Sequence, residues 1–193
     1  MRIFLFLLTL IFGLQSWTKA DDIRDFQIEG ISVGDSLLDY FSENEINRKG
    51  IFYYPKSKRI AGVRLDKNNY DQYESTQFTF YPSSYIISSV TGIIDYNNNI
   101  NECKQKSKEI KKELENIFPS VIPTIEKIKH RYDKSGKSFA YMTTFELNDG
   151  GSISITCDDW AKGVYSQNIE LTDSLSVSLR NSDYKNFLYY EAY

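Results

Sequence analysis

Apolar and polar residues follow one another along the chain in three rhythms, and each predicts a different element. The first is unbroken: residues 3–14 contain only Thr9 and Gly13 outside the large apolar types, follow Met1-Arg2 and turn polar at Gln15. A helix needs roughly 20 apolar residues to cross a bilayer, so this run is too short for a permanent anchor. With a small-x-small site at Thr18-Lys19-Ala20, it has the layout of a secretory signal peptide. The mature chain is expected to be residues 21–193, one domain that is periplasmic or secreted and has no stable membrane span after cleavage.

The second rhythm has period two and predicts strands. Within 51–96, Ala61, Val63 and Leu65 alternate with Gly62 and Arg64, and Phe78 and Phe80 alternate with Gln77 and Thr79. Residues 85–96 form a long β-prone run in which Gly92 marks a bulge or bend. Three meandering strands account for this region. Further on, Phe139, Tyr141, Phe145 and Leu147 share one face, Asn148-Asp149-Gly150-Gly151 is a hairpin turn, and Ile153, Ile155 and Cys157 share a face of the return strand. Residues 174–180 alternate most cleanly, with Leu175, Val177 and Leu179 inward and Ser174, Ser176 and Ser178 outward.

The third rhythm has the helical period. A helix over 99–118 is capped by Asn99, carries Ile100, Cys103, Ile110, Leu114 and Ile117 on one stripe, and ends before Pro119. A weaker helix is expected over 121–132, begun at Pro123. Asp35 or Ser36 caps a short helix that sends Leu37, Leu38 and Phe41 into the core, and Ser42 with Glu45 forms a capping box for another that runs to about Arg48. Ser182 caps a terminal helix holding Tyr184, Phe187 and Leu188. The sum is an α+β domain: an antiparallel sheet of about six strands, one long helix packed on a face, and short helices near both ends.

Charge narrows the partners. The full chain carries −3, and without Arg2 and Lys19 the mature chain carries −5. No basic stripe exists to replace phosphate counterions, so nucleic acid is excluded as a partner. Lys104 to Lys112 are interleaved with Glu109 and Glu113 and read as the solvated face of the long helix. Tyrosine and phenylalanine are abundant, at 15 and 12, alongside much Asn, Lys and Ile, a set that reads as composition bias rather than a stacking surface. Two cysteines on inward faces of an exported chain predict a disulfide between Cys103 and Cys157.

One motif suggests catalysis. Gly34-Asp35-Ser36-Leu37 resembles the name-giving motif of the GDSL (SGNH) esterases, in which the serine is the nucleophile at the end of the first strand. That resemblance covers four residues. The family's Asp-x-x-His near the C-terminus has no match: His130 is the only histidine, Lys127 stands three before it, and more than 60 residues follow it. The Gly-x-Asn-Asp element is also absent, since Asn148-Asp149 follows Glu146 and Leu147. Ser36 is therefore read as structural. His130, between Lys129 and Arg131, reads as a solvated surface residue, and Asp158-Asp159 as strand-end carboxylates on opposite faces. Glu43 and Glu45 show no acid–base spacing, and no phosphate loop, dinucleotide fingerprint or zinc cluster is present. No residue is assigned to catalysis, to a cofactor or to a metal.

The run Phe26-Gln27-Ile28-Glu29-Gly30-Ile31-Ser32-Val33-Gly34-Asp35-Ser36-Leu37-Leu38-Asp39-Tyr40-Phe41-Ser42, the Cys103 helix and the closing Phe187-Leu188, Glu191-Ala192-Tyr193 resemble small exported proteins of SAR11-type marine bacteria. The resemblance implies export and single-domain organisation and carries no activity. The expectation is a non-catalytic exported domain that binds a protein or envelope component through the sheet or its loops. The alternatives are a serine esterase using Ser36 and a carrier of a small apolar ligand in a pocket between helix and sheet.

Overall fold

The computed structural model describes residues 22–66, 71–166 and 169–193; the expected signal peptide lies outside them. A small hairpin of β1 (Gln27–Ile28) and β2 (Ile31–Ser32) leads into α1 (Glu43–Lys49). Then come β3 (Phe52–Tyr53), β4 (Ala61–Leu65), β5 (Ser75–Phe80) and β6 (Ile87–Asp95). Helix α2 (Ile100–Ile117) follows, and after it β7 (Thr124–Lys129), β8 (Phe139–Glu146) and β9 (Ser152–Asp159). A second small hairpin, β10 (Tyr165–Ser166) and β11 (Ile169–Glu170), precedes β12 (Ser174–Arg180) and α3 (Ser182–Tyr190).

The expected antiparallel sheet is present with eight strands rather than six, in the order β3-β4-β5-β6-β12-β9-β8-β7. The two additions are its edges. Strand β3 is only two residues long, and β7 occupies the stretch expected to be a weak helix. Pro123 would suit a helix start, but all six residues of β7 pair with β8, from Thr124 opposite Thr144 to Lys129 opposite Phe139. Ladder hydrogen bonds outweigh a helical preference that is weak in a segment this rich in β-branched residues.

One face of the sheet is the core. Val63, Phe78, Val90, Leu175, Val177, Leu179, Ile153, Ile155 and Phe145 meet α2 and the N-terminal segment there. Helix α2 begins as expected, with the Asn99 side chain accepting from Glu102 N. Cys103 and Leu114 are its buried positions, and Ile100 and Ile110 pack partly against the core. A disulfide joins Cys103 to Cys157, fastening α2 to the C-terminal half of β9. Gly92 is no bulge: it stays in register between Thr76 and Val177, and its missing Cβ makes room for the Tyr73 ring, 2.5 Å from where that carbon would be. The register shift lies instead between Thr79 and Phe80.

The opposite face carries the small polar residues, and it is not simply wetted. In a flat sheet, seven strand spacings would separate β3 from β7 by about 34 Å. Yet the Tyr193 ring lies 5.9 Å from that of Tyr54, beside β3, and 5.7 Å from the guanidinium carbon of Arg131, just past β7. Twist has curled the sheet towards its polar face. Ser152, Ser154, Ser178, Ser89 and Thr79 are consequently buried on its inner side rather than outward. Helix α3 packs at one end through Tyr184 and Phe187, with Ile60 and Ala192. Asn181 caps it, one residue earlier than expected, its side chain accepting from Tyr184 N at 2.7 Å.

Candidate functional site

The structure places the residues of the esterase-like motif in a turn. Gly34 has a φ of +95°, and its N–H donates to Ile87 O. The Asp35 carboxylate accepts from Ser32 N at 2.8 Å and from the Tyr40 hydroxyl at 2.6 Å. Ser36 caps a single 3-10 turn, Leu37–Asp39, its Oγ accepting from Leu38 N at 3.3 Å. Leu38, expected in the core, is exposed. Replacing Ser36 by Ala is expected to cost about 0.5–2 kcal/mol, the worth of a cap. Chemical unfolding measures it, and labelling of wild-type Ser36 by a fluorophosphonate probe would refute the structural reading.

His130 is built into the fold instead of lying on a solvated surface. Its ring stacks on Trp160 at 3.9 Å, its Nε2 stands 3.0 Å from Asp158 Oδ1, and 17% of its side chain is exposed. Burial pushes the Asp158 carboxyl up, against the opposing pull of His130. The following loop is tied down by Asp133, whose carboxylate accepts from Ser135 N and Oγ, Lys137 N, and Ser138 N and Oγ. Those hydroxyls and amides hold Asp133 well below the usual carboxylate range. Ser138 Oγ in turn accepts from Ala161 N, and Asp173 accepts from Trp160 N. The Ser138–Ala161 bond and the His130–Asp158 contact hold the β7–β8 loop to the end of β9, so the histidine is a wedge in the scaffold.

The exposed chemistry lies along β7. All six of its residues are exposed, and Ile122, Ile125 and Ile128 are exposed by 92%, 68% and 44%. Only one side of the strand is paired, so half of its backbone N–H and C=O groups face outward. Between β7, β8 and α2 runs an open groove of 550 Å³ with Ile125, Tyr141 and Thr143 in its floor. Lys104, Lys108, Lys111 and Lys127 line it with Glu126, and Lys111 is paired with Glu115 at 2.6 Å. Lys104 Nζ sits 3.5 Å from the centre of the Tyr141 ring, and Lys127 Nζ lies 3.8 Å from that of Phe139. Lys104 and Lys108, legible in the sequence as a helix face, thus border a groove that the sequence conceals, because its other wall is a strand read as helix.

Among the described residues, no helix is long and apolar enough to cross a membrane, and no group of three or more His, Cys, Asp or Glu is placed to hold a metal ion. Comparison of the chain with known protein families, with curated proteins and with solved structures finds no match.

Proposed function

We propose that this chain is a non-catalytic exported binding domain that accepts an extended, acidic segment of a partner protein as a ninth strand along β7. The observation that carries the reading is the state of the sheet's two edges. Strand β3 ends one edge after two residues, whereas β7 offers six exposed residues, Ile125 and Ile128 among them. Strand addition draws affinity from main-chain hydrogen bonds and specificity from alternate side chains. Here those side chains would meet the groove and its lysine rim, in a chain whose net charge is otherwise negative. Charge complementarity therefore favours a partner with Glu or Asp at alternate positions and apolar residues between. The signal-peptide layout of the first 20 residues and the disulfide support a location outside the cytoplasm.

A dye-labelled hexapeptide of alternating Val and Glu tests the reading by fluorescence anisotropy. It should bind saturably and more weakly as salt rises, whereas its Val/Lys counterpart should not bind. Reversing Lys104 and Lys127 to Glu together should weaken binding by roughly tenfold, the scale expected of two rim charges. Equal binding of both peptides would overturn the assignment.

A further inference from the structure

The curled polar face encloses a second site, unrelated to the β7 groove. Strand register sets its lining out in rows. Thr79, Ser89, Arg180, Ser152 and Glu146 lie side by side across β5, β6, β12, β9 and β8; next come Gln77, Thr91, Ser178, Ser154 and Thr144. A cavity of 270 Å³ runs over β5, β6 and β12, with Arg180 and Tyr184 at one end and Asp158 at the other.

Arg180 is the feature that requires an explanation. It is half-buried, it lines the cavity, and burial pushes its guanidinium down from the usual arginine value. Buried arginines are normally matched by a carboxylate. Among the described residues Arg180 has no carboxylate within ion-pair distance, and its one hydrogen bond is a long donation to Ser154 Oγ at 3.4 Å. Its row-mate Glu146 is ion-paired with Lys185, and the other carboxylate of the cavity, Asp158, stands at the far end beside His130. Guanidinium presents five donors in a planar fork suited to a carboxylate. The hydroxyls around it are not all spent either. Thr91 pairs with Ser178 at 2.9 Å and Thr144 with Ser154 at 3.1 Å, but the side chains of Gln77, Ser89 and Ser176 make no hydrogen bond among the described residues.

We infer that the cavity is a binding site for a small hydroxylated monocarboxylate, of the sugar-acid class, whose carboxylate is held by Arg180 and whose hydroxyls are met by Gln77, Ser89 and Ser176. Arg180, without an ion pair, calls for one negative charge beside it, and Asp158 at the far end of the same cavity disfavours a second, which favours a carboxylate over a phosphate ester. The volume admits a molecule of sugar-acid size, and a lining of Ser, Thr and Gln suits hydroxyls better than an apolar chain.

Gluconate, with acetate, sorbitol and inorganic phosphate as comparisons, tests the site by NMR titration and thermal unfolding of the purified, oxidised protein. Gluconate should shift the Arg180 side-chain resonance and the β12 amides saturably, leave β7 unmoved and raise the unfolding midpoint; sorbitol should do neither. Arg180→Met should weaken gluconate by about tenfold to a hundredfold, as expected for charge-assisted hydrogen bonds. The ligand-free variant should unfold at the same temperature or higher, because it removes a buried charge without stranding a partner. Gln77→Ala should weaken gluconate and leave acetate unchanged. A lower midpoint for ligand-free Arg180→Met would make the arginine structural and overturn the proposal. So would gluconate binding that ignores the substitution, no response to gluconate, or phosphate acting in its place.

Discussion

Replacing Cys103 and Cys157 together by Ala is expected to lower the unfolding free energy by about 4 kcal/mol. The cross-link closes a loop with a sequence separation of 54, and the chain-entropy account assigns roughly that value to the freedom it removes from the unfolded chain. In the folded state both residues are fully buried, and the bond joins the first turn of α2 to β9, an inner strand of the sheet. Loss of the bond should therefore leave α2 fraying from its N-terminal end while the sheet persists. Whole domains are stable by only about 5–15 kcal/mol, so the effect is a large share of the total. Urea unfolding of the double variant, and of the wild type with and without reductant, measures it. A midpoint that ignores both reduction and substitution would contradict the assignment of the bond as a main fastening.

At the other end of α2, Leu114→Ala is expected to cost about 2–5 kcal/mol, while Ile117→Ala stays within about 0.5 kcal/mol. The two residues belong to the same sequence stripe, but the structure separates them: Leu114 is 8% exposed and Ile117 is 44% exposed. The reason is the way the helix ends. Phe118 leaves helical geometry, with φ −117° and ψ 64°, and turns its ring into the core. There it lies 5.2 Å from Phe26 and 6.5 Å from Phe145. It fills the place that a regular helix would have given to Ile117. Similar losses for both alanine variants would contradict this packing.

These elements show what the sequence could and could not disclose. Helix α2 was legible because its cap and stripe are local, as was the Ser42–Glu45 capping box, in which both reciprocal bonds form. The β8–β9 hairpin was legible from Asn148-Asp149-Gly150-Gly151, and the disulfide from two inward cysteines. Strand β7 was not, because Ile122 just before it and Ile125 and Ile128 within it recur every third position while its structure is decided by the distant ladder with β8. The serines of β12 alternate in the same way whether they face water or a curled interior, so the polar cavity and the isolation of Arg180 are tertiary properties. His130 misled for a like reason: Lys129 and Arg131 flank it in sequence, but Trp160 and Asp158 surround it in space.

The claim that β7 is the working edge of the domain is tested most directly by amide hydrogen exchange with the alternating Val/Glu peptide bound. The amides of β7 that do not bond to β8 stand open to solvent in the free protein. On binding they should become protected, together with the groove-side amides of β8, while β3 and the polar cavity exchange as before. Peptide binding that leaves β7 unprotected, or protection confined to another part of the sheet, would contradict the account.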